Sequence, residues 1–105
     1  MKTDHSIIIT TCADKESAKA MARLLVEKRL AACVQMMPIE SIYMWRGELC
    51  DDSETALLIK SKTALFDEIA LAIQEAHAYE LPEIIQVPIT SGLPEYLKWI
   101  DDCVN

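Results

Sequence analysis

Glycine is nearly missing from this chain, with 2 in 105 residues. That excludes the glycine-rich loops that cradle phosphates. It also leaves few positions where the backbone turns left-handed at no cost. There are only 4 prolines, and no repeat, linker or low-complexity tract, so a single domain is the natural count. Basic residues are scarce, 10 against 17 acidic, for a net charge of -7. Phosphate backbones are bound by clustered Lys and Arg, so nucleic acid is not an expected partner. No apolar run reaches the length of a membrane span, so no membrane partner is expected either. The start, Met1-Lys2-Thr3-Asp4-His5, leads into only a short apolar run and does not read as a signal peptide. Cys12, Cys33, Cys50 and Cys103 are scattered with no C-x-x-C pair, which reads as reduced thiols in a cytoplasmic protein. No Ser or Cys nucleophile has a recognisable base nearby in sequence, and nothing demands an enzyme.

What is abundant is apolar surface. Hydrophobic residues make up 51% of the chain, while a domain of this size buries only roughly 65% of its unfolded surface. The surplus points to a further face buried between subunits.

Ser6 to Thr11 is β-branched and compact, a buried strand. Asp14 is placed to cap a helix whose apolar positions are Ala18, Met21, Ala22 and Leu25, with Lys28 and Arg29 at the negative end of its dipole. Leu30 to Trp45 reads as a second strand, interrupted near Pro38. Arg46-Gly47 is a tight turn, and Glu48 to Lys60 returns as a third strand. Thr63 is expected to cap a second helix with the stripe Leu65, Ile69, Ala72, Ile73 and Ala76. Glu83 to Thr90 is a fourth strand, held to an edge or to the end of its pairing by Pro88. Gly92, Leu93 and Pro94 open a last helix carrying Leu97, Ile100 and Val104, with Tyr96 and Trp99 beside them. The order βαββαβ plus a C-terminal helix predicts an α+β, ferredoxin-like fold, one sheet with two helices on one face.

The hairpin is long for such a domain. Each arm of about 14 residues would run roughly 45 Å if continuous, against a radius of gyration of about 13 Å for a chain of this size. An overhanging hairpin bearing Tyr43, Met44, Trp45 and Leu49 would be an aggregation-prone edge unless another chain covered it. An oligomer in which each hairpin packs on a neighbour is the expectation.

The stretch His77-Ala78-Tyr79-Glu80-Leu81-Pro82-Glu83 joins the second helix to the fourth strand. Connections of this kind are usually Gly, Asn, Asp and Ser; this one carries an imidazole, a phenol and two carboxylates. With the hairpin and this loop placed, the chain resembles the CutA divalent-cation tolerance family. The matching residues are Leu30-Ala31-Ala32-Cys33-Val34, Pro38, Ser41-Ile42-Tyr43, Trp45, Gly47, Glu54 and Lys60. They continue with His77, Tyr79-Glu80, Pro82-Glu83-Ile84, Pro88, Gly92, Tyr96-Leu97 and Trp99-Ile100. The resemblance implies a ferredoxin-like homotrimer related in architecture to PII-type signalling proteins. It also implies a role linked to copper and other divalent metals, with no obligatory cofactor. Two departures stand out. The family loop usually reads His-Pro-Tyr-Glu, and Ala78 in place of the proline should loosen that turn. Copper sites proposed for some bacterial members use a first-strand Cys and two adjacent histidines, where this chain has Thr10 and Ala76 before His77.

The candidate metal ligands are His77 and Cys33, since imidazole suits copper, zinc or nickel and thiolate suits Cu(I). The alternative for His77 is a hydrogen bond at a helix end. Tyr43, Trp45, Lys60, Tyr79, Glu80 and Glu83 are the candidate ligand-binding residues of a cleft between subunits, or else Glu80 and Glu83 simply pair with Lys60. Two functions are therefore carried forward. One is a trimer for metal tolerance that binds metal or a small ligand at inter-subunit clefts. The other is a PII-like small-molecule sensor in which Lys60 and Lys62 face the ligand.

Overall fold

Burial alternates along the first strand and shows which way it faces. In the computed structural model, which describes residues 3–105, β1 runs from His5 to Cys12, with Ser6, Ile8, Thr10 and Cys12 all buried on one side. β1 pairs antiparallel with β3 (Glu48–Lys62) on one flank and with β4 (Ile84–Pro88) on the other. β2 (Cys33–Trp45) pairs antiparallel with β3 along its full length. The sheet order is β2-β3-β1-β4. The fold is α+β, a four-stranded antiparallel sheet with three helices.

Two helices cover one face. α1 (Lys15–Glu27) buries Ala18, Met21, Ala22 and Leu25, and α2 (Phe66–Ala76) buries Ile69, Ala72 and Ile73. These pack with Ile8, Leu57 and Ile59 into one core cluster. Burying each of the larger side chains contributes roughly 1.5–3 kcal/mol. α3 (Pro94–Cys103) lies over the opposite alternation of the sheet. The Lys60 ammonium sits 5.4 Å above the Tyr96 ring, and His5 bonds Asp101 at 2.9 Å. Ile100 is fully buried outside the main cluster.

Asp14 caps α1 as its sequence position predicts, its carboxylate accepting from the Ser17 N–H at 2.7 Å. That bond holds the Asp14 carboxyl below its ordinary range. Three expected boundaries move. The second strand starts at Cys33, not Leu30. Arg29 takes a left-handed conformation (φ 58°) just past α1, and the Leu30 N–H returns to the Leu25 carbonyl while that of Arg29 reaches Val26. This is a Schellman closure, with Arg29 where glycine is usual, and it holds Leu30 in the core instead of a strand. Thr63 does not cap α2. Its hydroxyl shares a 2.6 Å bond with Ser6, and Thr63–Leu65 forms a 3-10 turn that feeds α2 without a side-chain cap. The fourth strand is trimmed to Ile84–Pro88 and is an edge, which suits Pro88.

The hairpin is unbroken. Pro38 pairs opposite Thr55 without interrupting β2, and the ladder continues to Trp45 opposite Glu48. β1 accompanies β3 only as far as Thr55, so everything from Ile39 to Glu54 extends beyond the rest of the sheet. The molecule measures 44 × 29 × 22 Å, with a radius of gyration of 14.3 Å. On the face that α1 and α2 cover elsewhere, Ile42, Met44 and Leu49 stand 72%, 63% and 71% exposed. The turn itself has Arg46 at φ 50° and Gly47 at φ 80°, the signs of the primed turn whose twist matches a hairpin.

Candidate functional site

The loop after α2 is organised by one imidazole. His77 ends the helix in an extended conformation, its N–H donating to the Ile73 carbonyl. Its ring Nδ1 accepts from the Tyr79 N–H at 3.0 Å, and Nε2 lies 2.6 Å from the Thr11 carbonyl oxygen. A backbone N–H only donates and a carbonyl only accepts, so the ring must be the neutral tautomer protonated on Nε2. The imidazole thus spans from its own loop to the end of β1.

The clamp aims Tyr79. Its ring lies 4.6 Å from that of His77, and its hydroxyl donates to Glu54 at 2.8 Å. Glu54 stands on β3 opposite Ile39, in the overhanging part of the hairpin. Tyr43, on the same face of the hairpin, donates to Asp52 at 2.5 Å. At the tip, the Arg46 guanidinium lies 5.2 Å over the Trp45 ring and pairs with Glu80 at 2.5 Å. Loop and hairpin of a single chain therefore converge. Between them lies a cleft of 440 Å³ walled by Tyr43, Trp45, Tyr79 and Leu81, with Glu54 and Glu83 as its carboxylates. A smaller recess of 190 Å³, lined by Tyr43, Trp45, Tyr79, Glu80 and Leu81, adjoins it.

Both phenols are held protonated. Burial first, and then the bond to Glu54, push Tyr79 far above the ordinary tyrosine range. The bond to Asp52 pushes Tyr43 up to about 12. A group with a raised folded-state value stabilises below its unfolded value, near 10, and loses that contribution as pH rises through the folded one. The contribution of these tyrosines should therefore be fully present and constant through neutral pH and fall only on the alkaline side. Tyr79→Phe should remove its share of that alkaline dependence, leaving that of Tyr43. It should also lower stability by about 1–2 kcal/mol, because Glu54 loses a donor that it holds half-buried. Urea midpoints at neutral and alkaline pH check both; an unchanged midpoint at neutral pH would exclude the Tyr79–Glu54 bond as a tie.

The expected site residues are thus partly gathered. Tyr43, Trp45, Tyr79, Glu80 and Glu83 line the two adjoining spaces. Lys60 is elsewhere, above Tyr96, and Glu80 pairs with Arg46, not Lys60. Lys62 is turned to the Asn105 carbonyl. Cys33 pairs with Lys60 at the start of β2, whereas the His77 ring sits on Thr11, whose neighbour on β3 is Ala56. Four residues of strand, roughly 13 Å, plus the spacing to a further strand separate Cys33 from His77. The structure does not bring the two together, and both ring nitrogens of His77 are engaged by backbone. Among the described residues no three His, Cys, Asp or Glu side chains gather as a metal-ligand set. Burial, then the charges of Asp14 and Glu54, raise Cys12 and keep it a thiol. The cleft was expected between subunits; this chain's own hairpin and loop line it. Glu54, Asp52, Arg46 and the Thr11 carbonyl went unassigned from sequence. Counting outward from the Arg46-Gly47 turn would have put Glu54 and Asp52 on the Tyr43 face.

The chain and its fold are similar to those of known proteins. Residues 6–103 match the family model described as CutA1 divalent ion tolerance protein. The chain is 41% identical over 97 residues to the divalent-cation tolerance protein CutA of Thermus thermophilus, covering 91% of this chain and 94% of that one. It is 41% identical over 102 residues to a CutA homolog of Danio rerio, covering 96% of this chain but 68% of the longer fish protein. It spans 54% of the mouse relative. The solved structure of the periplasmic divalent cation tolerance protein CutA from Archaeoglobus fulgidus superposes with a TM-score of 0.94 at 38% identity, covering 96% of this chain and 99% of that one. A family model that takes in nearly the whole sequence, and relatives of this identity over nearly all of it, leave one conclusion: the chain belongs to the CutA1 divalent ion tolerance family.

Proposed function

We infer that the protein serves divalent-cation tolerance as a homotrimer of ferredoxin-like subunits, each presenting the hairpin–loop cleft to a metal ion or small ligand. The observation that carries this is the charge of the cleft. Glu54 and Glu83 line it, Glu80, paired at the rim by Arg46, lines the adjoining recess, and among the described residues no Lys or Arg side chain lines either. Such a cleft attracts cations. The strand order β2-β3-β1-β4 supports the ferredoxin-like reading. The exposed Ile42, Met44 and Leu49 support a covering neighbour. The groups that would shuttle protons are occupied, His77 by backbone and the phenols by carboxylates, which supports binding over catalysis. The four unpaired cysteines fit a reducing, cytoplasmic setting, although the Archaeoglobus relative is described as periplasmic. The sensor reading is less well supported for an anionic ligand, because Lys60 and Lys62 are both engaged away from the cleft.

Sedimentation equilibrium in reducing buffer should give three times the 11.8 kDa chain mass. Calorimetric titration of the metal-stripped protein with Cu2+ and Zn2+ should then show chelator-reversible binding that Glu54→Gln with Glu83→Gln weakens by at least about tenfold. Undiminished affinity in that variant would remove the cleft as the metal site.

A further inference from the structure

Three aromatic rings share the cleft with carboxylates, and that combination has a chemistry of its own. Tyr43, Trp45 and Tyr79 all line both the 440 Å³ cleft and the 190 Å³ recess. Their rings carry no charge, because each phenol keeps its proton on a carboxylate: Tyr43 on Asp52 and Tyr79 on Glu54. A neutral ring offers its negative face to a cation. A small, strongly hydrated metal ion gains little from such faces and prefers several oxygens at short range. No three candidate ligand side chains gather here among the described residues. A weakly hydrated organic cation, with its charge spread over carbon-bound hydrogens, matches both the rings and the diffuse negative charge.

The chain already holds one such cation at the rim. The Arg46 guanidinium lies 5.2 Å over the Trp45 ring while pairing with Glu80. It is a planar, weakly hydrated organic cation placed against one ring and one carboxylate. Arg46 is exposed and sits in the hairpin turn, where among the described residues its guanidinium has these two partners. It is thus a tethered stand-in that a free ligand can displace.

We propose that the hairpin–loop cleft binds a small organic cation of the alkylammonium class, seated against Trp45, Tyr43 and Tyr79 and balanced by Glu80, with Arg46 as its built-in competitor. This rests on the cleft being the ligand site and names the class of ligand for it.

The test uses the intact protein and tetramethylammonium as probe. tert-Butanol serves as the neutral analogue of similar shape, and sodium chloride holds ionic strength constant. The readout is the Trp45 indole N–H resonance, assigned by its loss in Trp45→Phe. Tetramethylammonium should shift it saturably, and tert-butanol should not. Trp45→Leu, read by calorimetry, should weaken binding about fivefold, the scale of one exposed cation–π contact. Arg46→Asn keeps a residue suited to the left-handed turn position and should tighten binding, again about fivefold, by freeing the Trp45 ring and Glu80. Loss of a positive charge from the far surface, Lys98→Asn, should leave the affinity unchanged. An equal response to tert-butanol would make the cleft merely apolar and overturn the proposal. Binding no tighter in Arg46→Asn than in Lys98→Asn would overturn it too. If Cu2+ or Zn2+ binds the cleft and tetramethylammonium does not, the organic-cation inference falls while the cleft stands as a ligand site. If neither binds, both fall.

Discussion

His77→Ala should cost the fold about 2–4 kcal/mol, seen as a lower urea midpoint, while leaving copper affinity where it was. The size follows from two polar groups left behind. The Thr11 carbonyl and the Tyr79 N–H are both part-buried partners of the ring, and an orphaned group of this kind costs about 1–3 kcal/mol. The loop would also lose the aim of Tyr79 and Glu54 its donor, while the carboxylates of Glu54 and Glu83, the groups proposed to meet a metal, would remain. Combining His77→Ala with Cys33→Ser discriminates further. A fall in copper affinity with unaltered stability would show the imidazole acting as a ligand and would refute the clamp. A fall in stability with unaltered copper affinity would establish it.

Ile42→Glu with Leu49→Glu should convert the assembly into monomers that still fold. Both residues lie on the overhang, outside the core cluster, at 72% and 71% exposure. The isolated subunit has no need of them. Against a neighbour, each apolar side chain would contribute roughly 1.5–3 kcal/mol. Replacing them with carboxylates adds the desolvation of a charge on top of that loss. Sedimentation equilibrium should report the 11.8 kDa chain mass at micromolar concentration, with far-ultraviolet circular dichroism retained. A variant that still sediments at three times that mass would show that the overhang is not the adhesive surface.

Much of the architecture was legible because it rests on periodicity. The apolar spacing of α1, the Asp14 cap and the Arg46-Gly47 turn are local signals found where the pattern put them. Of the α2 stripe, Ile69, Ala72 and Ile73 are buried, while Leu65 falls in the preceding 3-10 turn and Ala76 is exposed. The misplaced boundaries have two kinds of cause, an unusual local terminus and a residue claimed by a distant partner. Arg29 serves as a left-handed helix terminus in a chain short of glycine, and Thr63 spends its hydroxyl on Ser6 of another strand. The expected break at Pro38 failed because an edge strand tolerates a missing donor. The site was half legible for the same reason. The His77 loop announces itself by composition. What its side chains touch is fixed by the register of a hairpin tens of residues earlier, and only the folded chain reveals that Glu54 and Arg46 are the partners.

The two proline-bearing edges also limit how copies of this chain can meet. β2 and β4 are the outer strands of the sheet. Pro38 lies midway along β2, so its nitrogen must face away from β3, toward the free edge. A strand arriving there finds no hydrogen to accept at the centre of the ladder, only two short stretches on either side. β4 offers five residues and ends on Pro88. Neither rim can template an uninterrupted cross-strand stack, the geometry that lets sheets grow without end. A chain with an exposed apolar hairpin therefore has its backbone biased against fibres.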